Sequence, residues 1–168
     1  MTDIQLLPLT AADAADIYNG RRQQVWAPDF PTDGDVVIAG LICRRIAAGV
    51  DYEPATADRP WATYLVCVDS LIVGGAGFKG APDADGLVEI GYGIAESHQG
   101  RGIATAAVRA IASLAHQHGA NVTAETEEWN TASIKVLQKA GFTQWLRPDE
   151  THLWWRLDAP HGLSDDRT

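Results

Sequence analysis

Cysteine is scarce in this chain: Cys43 and Cys67 are the only two in 168 residues. They lie far apart between apolar neighbours, so they read as buried thiols and give no basis for a disulfide framework or a metal site. Basic residues are also few. Against 22 Asp and Glu stand 13 Lys and Arg, a formal net charge of −9, with no long Lys/Arg cluster. That composition argues against a nucleic-acid partner, whose phosphates need a basic footprint. No apolar run approaches the roughly 20 residues of a membrane-crossing helix, and the N-terminus lacks the basic-then-apolar pattern of a secretion signal. The expectation is a cytoplasmic protein with no membrane partner. Such acidity serves solubility first and would also suit a cationic acceptor such as an amine.

What is present describes an ordinary globular chain. Hydrophobic residues make up 46% and charged residues 21%, and the length allows one domain with a proper core. Residues 1–158 read as that single domain and 159–168 as a flexible polar tail. Residues 4–9 read as a strand. Thr10 caps a helix over 11–19, ended by Gly20. The loop holding Trp26, Pro28, Phe30 and Pro31 has the rigid residues of an ordered segment. A helix follows over 34–48, with Val37, Leu41 and Ala48 at apolar positions. Strands at 63–69 and 71–79 flank a tight turn near Ser70, and another strand covers 87–95. The helix over 102–118 repeats apolar residues at Ile103, Ala106, Ala107, Ala110, Ile111, Leu114 and Ala115, so it covers one face of a sheet. A short strand at 121–126, a helix at 130–140 capped by Asn130, and a hairpin of 142–146 with 153–157 complete the order. Strands joined first by turns and then by helices indicate an α+β fold with a mixed sheet. The β-α-β unit over 87–126 makes its two strands parallel.

Chemistry concentrates where strand 87–95 meets helix 102–118. Gln99-Gly100-Arg101-Gly102-Ile103-Ala104 forms a glycine-rich turn. Such a turn aims backbone N–H groups at one spot, and the helix dipole adds partial positive charge. A pyrophosphate suits that spot. The known nucleotide loops are missing: no lysine follows the glycines as in GxxxxGK[ST], and Thr105 breaks GxGxxG. Along the preceding strand, Val88, Ile90, Tyr92 and Ile94 share one face. Glu89, Gly91 and Gly93 share the other, where two missing side chains leave room for a ligand groove. His116 and His118 point to different helix faces and make a poor metal pair, so no metal is expected.

The residues from Glu89 to Phe142 resemble the GNAT superfamily of N-acetyltransferases, in particular the branch of ribosomal-protein N-terminal acetyltransferases and related drug acetyltransferases. Gln99, Gly102 and Ala104 match its Arg/Gln-x-x-Gly-x-Gly/Ala signature. Asn130, Ser133 and the ending Lys139-Ala140-Gly141-Phe142 match its second motif. The resemblance implies a mostly antiparallel sheet of about seven strands, flanked by about four helices, with a splayed parallel pair at the cofactor groove. It implies acetyl-CoA as co-substrate, held at the pyrophosphate by Gln99, Gly100, Arg101, Gly102, Ile103, Ala104 and Thr105. Tyr92, Gly93 and Ile94 would pair with the pantetheine arm, and Asn130 and Ser133 would line its thiol end. Trp26, Asp29 and Phe30 lie where relatives place a loop over the acceptor. The resemblance also leaves room for a homodimer.

Acetyl transfer to an amine requires a proton acceptor, because an alkyl amine is mostly protonated at neutral pH. Glu89, the carboxylate of the cofactor strand, is the candidate base. Backbone N–H groups near Tyr92 would stabilise the oxyanion. Relatives carry an acidic tyrosine where this chain has Leu137, so Ser133 or a water takes that place. The acceptor is a protein N-terminus or a small-molecule amine, with specificity in residues 28–35 and the final hairpin. The alternative is an acyl-CoA sensor on the same fold, without turnover.

Overall fold

The computed structural model describes residues 2–160. Along it run β1 (Gln5–Pro8), α1 (Ala11–Tyr18), α2 (Asp33–Ala47), β2 (Thr63–Val68), β3 (Leu71–Phe78), β4 (Leu87–Ile94), a 3₁₀ turn (Glu96–His98), α3 (Ile103–Gln117), β5 (Asn121–Glu127), α4 (Thr131–Ala140), β6 (Thr143–Leu146) and β7 (His152–Leu157). Local chemistry sets the boundaries. Thr10 and Thr32 each accept the backbone N–H three residues on, and Asp13 and Asp35 reach back to the threonine N–H. Each of these capping boxes contributes about 1 kcal/mol to its helix. Asp69 and Ser70 both take positive φ, 49° and 66°, the conformation that joins β2 and β3 in a tight hairpin. Most of the expected tail, residues 161–168, lies outside the described residues.

One seven-stranded sheet, in the order β1-β2-β3-β4-β5-β7-β6, runs through the molecule. Every neighbouring pair is antiparallel except β4 and β5. This is the expected mixed α+β sheet with one parallel pair. That pair is paired only from Leu87↔Asn121 to Ile90↔Ala124. Beyond it β4 continues to Ile94 on β3 alone, while β5 continues to Glu127 on β7. The two strands therefore splay, leaving one backbone edge of residues 91–94 unpaired.

Helices α1 and α2 pack together on one face, and α3 and α4 lie on the other. Val88, Ile90 and Ile94 of β4 are buried with Ile103, Ala107, Val108 and Ile111 of α3. Each such aliphatic side chain contributes about 1.5–3 kcal/mol by leaving water.

Helix α2 corrects one expectation. Val37 and Leu41 are 60% and 48% exposed, and Ala48 is the exposed C-cap. The buried positions are Ala39, Gly40 and Ile42. This helix carries more apolar residues than one face can bury, so periodicity alone does not choose the face. Close packing does: a Cβ on Gly40 would stand 3.0 Å from the Tyr18 ring. The loop before α2 is ordered, as expected, and its aromatics are core. Trp26 and Phe30 are buried edge-to-face, 5.2 Å apart. Arg22 donates to the carbonyls of Phe30 and Ala27 at 2.7 and 2.8 Å.

Candidate active site

Two grooves meet at the unpaired edge of β4. The first, about 370 Å³, lies on the α3/α4 side. Its floor is the turn into α3, where Gly100 and Gly102 take φ of +72° and +77°. Only glycine adopts such angles without a steric penalty. Gln99 Nε2 donates to the Ile94 carbonyl at 2.9 Å, tying the turn to the strand end. The first helical bond of α3 runs from Ala106 N to Gly102 O at 3.0 Å. Ile103, Ala104 and Thr105 thus present N–H groups ahead of the ladder, and no side chain caps them. That leaves donors and dipole charge for an anion.

Side chains of α4 close this groove. Asn130 Oδ1 accepts from Ser133 N at 3.1 Å, so Asn130 caps α4 and lines the groove at once. The Tyr92 hydroxyl lies 2.6 Å from Ser133 Oγ. Burial raises the Tyr92 pKa, partly opposed by the Ser133 bond, so the phenol stays protonated at neutral pH. Lys135 and Lys139 also line the groove, with His98 from the 3₁₀ turn, and among the described residues no Asp or Glu does. An acidic protein thus places three basic side chains, and no acidic one among the described residues, around this groove. Lys139 belongs to the motif that ends at Phe142 but has no expected part in the site, and Lys135 has none either, although Ala132, Lys135, Val136 and Lys139 recur at helical spacing.

The second groove, about 340 Å³, lies on the opposite face, under α2. Its floor is two cross-strand glycine pairs, Gly75↔Gly93 and Gly77↔Gly91. The open face expected beside Gly91 and Gly93 is therefore real, but it belongs to this groove and not to the pyrophosphate turn. Tyr92 and Gly93 border both grooves. The walls come from Thr32, Asp35, Val37, Ile38, Phe78 and Lys79. Asp35 is its one carboxylate among the described residues, and burial raises its pKa against the lowering bonds from Thr32.

Of the expected site residues, Tyr92, Gly93, Ile94, Gln99, Gly100, Gly102, Ile103, Ala104, Thr105, Asn130 and Ser133 come together around the first groove. Arg101 is exposed, does not line it, and offers its carbonyl to Thr2 Oγ1 at 2.8 Å. Glu89 lines neither groove. It pairs with Lys79 in a third cavity whose walls include Thr123, Trp145 and Trp154. The final hairpin lends Trp145 and Trp154 to that cavity and not to the second groove. Leu137, where relatives carry tyrosine, is completely buried and lines no groove. Asp29 accepts from Ser97 N and Oγ at 2.8 and 2.6 Å. Those bonds hold its carboxyl below the usual range and tie the loop before α2 to the turn before α3.

The profile of the acetyltransferase (GNAT) domain matches residues 3–143. A Bacillus subtilis protein described as the uncharacterized N-acetyltransferase YjdG is 38% identical over 73 residues, which are 42% of this chain and 44% of that protein. The match thus spans less than half the length of that relative. Among solved structures, the ribosomal-protein-S5-alanine acetyltransferase of Vibrio fischeri superposes with a TM-score of 0.64 at 15% identity, over 96% of each chain. The aminoglycoside acetyltransferase AAC(6')-Ib, solved with coenzyme A, gives 0.64 at 18% identity, over 93% of this chain and 95% of that one. At these identities the likeness is one of fold.

Proposed function

The chain belongs to the acetyltransferase (GNAT) domain family, and from that premise we propose that it transfers an acetyl group from acetyl-CoA to a primary amine by direct attack. One observation carries the reading: the unpaired edge of β4 opens onto an uncapped helix N-terminus, in a groove where Lys135, Lys139 and His98 stand and no carboxylate does among the described residues. Backbone N–H groups from residues 100–105 hold the pyrophosphate, backed by Lys135 and Lys139. The free edge at Tyr92, Gly93 and Ile94 pairs with the pantetheine arm as a strand would. Asn130 and Ser133 stand at its thiol end. Acetyl-CoA supplies the activated acyl group; the protein holds it, orients it and moves protons.

Ser133, hydrogen-bonded to the Tyr92 phenol, stands in for the tyrosine that Leu137 replaces, and delivers a proton to the leaving sulfur. Glu89 would have to give up its Lys79 ion pair to act as the base. The acceptor is an amine of a protein N-terminus or of a small molecule; relatives named for each kind share the fold. We place the reaction in the cytoplasm, which agrees with two free cysteines.

The test is calorimetric titration with acetyl-CoA, followed by thiol release across primary amines. The amines are tripeptides beginning with Ala or Ser, phenethylamine, spermidine and kanamycin. Binding followed by turnover of at least one amine is expected. Tight binding with no turnover would make the protein an acyl-CoA sensor, and absence of binding would remove the reading altogether.

A further inference from the structure

Resting on the acetyl-transfer reading, we infer that Asp35, on the α2 side of β4, receives the ammonium group of the acceptor and takes its proton. The placement starts from the capping box. Asp35 Oδ2 accepts from Thr32 N at 2.9 Å and from Thr32 Oγ1 at 2.7 Å. The other oxygen, Oδ1, lies over β3, 2.3 Å from where a Cβ on Gly75 would stand. Thr32 Oγ1 lies 3.3 Å from where a Cβ on Gly93 would stand. Gly75 and Gly93 face each other across the strands. The carboxylate therefore sits over that glycine pair, in the groove that shares Tyr92 and Gly93 with the cofactor side. An amine bound there faces the gap between β4 and β5.

A helix cap alone needs neither the glycine floor nor a free carboxylate oxygen in a groove. The charged and titratable groups around Asp35 are few. Lys79, at the end of β3, is paired with Glu89, and Tyr92 is bonded to Ser133. Among the described residues no second carboxylate lines the groove; Lys79 also lines it, with its charge matched by Glu89, so the carboxylate that an entering cation meets is Asp35. The apolar walls, Val37, Ile38 and Phe78, suit a primary amine whose neighbouring carbon carries an apolar group. Partial burial of both partners weakens the ammonium and strengthens the carboxylate as a base; burial raises the Asp35 pKa.

In the step itself, Asp35 takes one ammonium proton and later releases it to solvent. The freed nitrogen lone pair forms the N–C bond at the thioester carbon. The C–S bond breaks, its electron pair leaves on sulfur, and the second N–H proton ends on that sulfur by way of Ser133. Amide, thiol and one released proton balance the reaction.

The test compares Asp35→Asn, Thr32→Ala and Glu89→Gln with the unmodified protein, using the amine turned over fastest. Asp35→Asn is expected to lower kcat/KM by about 100-fold or more, remove the fall in kcat/KM toward acid pH, and leave acetyl-CoA affinity unchanged. That affinity, with circular dichroism, shows the variant folded. Thr32→Ala weakens the same cap but keeps the carboxylate. Because the Thr32 Oγ1 bond lowers the Asp35 pKa, its loss should move the acid limb to higher pH and preserve the plateau, while the Thr32 N–H bond remains. Glu89→Gln should stay within about 3-fold, below the usual effect of removing a base. Asp35→Asn with unmodified kcat/KM and acid limb, or the large loss appearing in Glu89→Gln instead, overturns the assignment while acetyl transfer stands. If the unmodified protein binds acetyl-CoA and acetylates no amine, both readings fall.

Discussion

The two grooves beside β4 are close in volume, about 370 and 340 Å³, and opposite in construction. The cofactor-side groove is made of backbone: free N–H groups at a glycine turn and an unpaired strand edge, with bases at the rim. The α2-side groove is made of side chains: one carboxylate, with Lys79 and two threonines, on otherwise apolar walls over a glycine floor. The difference follows from what each would bind. A pyrophosphate and an amide-rich arm are the same in every reaction, and backbone recognises them without a particular side chain. An acceptor amine is recognised by charge and by shape, which only side chains supply. Alternation along β4 keeps the two apart, since successive residues face opposite sides of the sheet.

Gly75→Ala should break this division most sharply. Its Cβ would stand 2.3 Å from Asp35 Oδ1, so the carboxylate has to move while the cofactor side is untouched. We expect turnover to fall about 100-fold, as for loss of a positioned base, with the acetyl-CoA affinity kept in calorimetry. A parallel loss of acetyl-CoA affinity would mean that the grooves are not separable.

Gly102→Ala probes the other side. A side chain at φ +77° costs about 1–2 kcal/mol, and about 1.4 kcal/mol of displaced turn geometry is tenfold in affinity. Acetyl-CoA binding should weaken by about that factor and the amine KM should hold. The smallest expected effect belongs to Lys135→Glu combined with Lys139→Glu. Their charges sit at a solvent-facing rim, so acetyl-CoA should bind roughly 3–10-fold more weakly at low salt, and the difference should shrink toward 1 M salt. A salt-independent loss would show that the lysines act by shape and not by charge.

The glycine turn and its helix were legible because their signals are local. Gly100, Gly102 and the spacing from Ile103 to Ala115 are confined to neighbouring residues, and each constrains φ or a helix face directly. Asn130 and Gly141 marked α4 for the same reason. Legibility failed where one local signal had two outcomes. Thr32 and Asp35 have the spacing of a helix cap, and the cap forms. That the same carboxylate also covers Gly75, 40 residues away, is set by where α2 crosses β3 and β4. Periodicity also marked Val37 and Leu41 as apolar positions of α2 without saying which apolar residues are buried; both face outward, while Gly40 fits against Tyr18.

Composition, helix caps and glycine angles thus determine the order of elements and the phosphate-type turn, because they act through neighbours in the chain. Which carboxylate reaches a groove is decided by tertiary structure. Glu89, on the strand that borders both grooves, is tied to Lys79 in a separate cavity. Asp35, on a helix remote in sequence, stands over the Gly75–Gly93 pair. The physical reason is that a side chain's reach ends within a few ångströms, and only packing of helix on sheet brings distant residues within it.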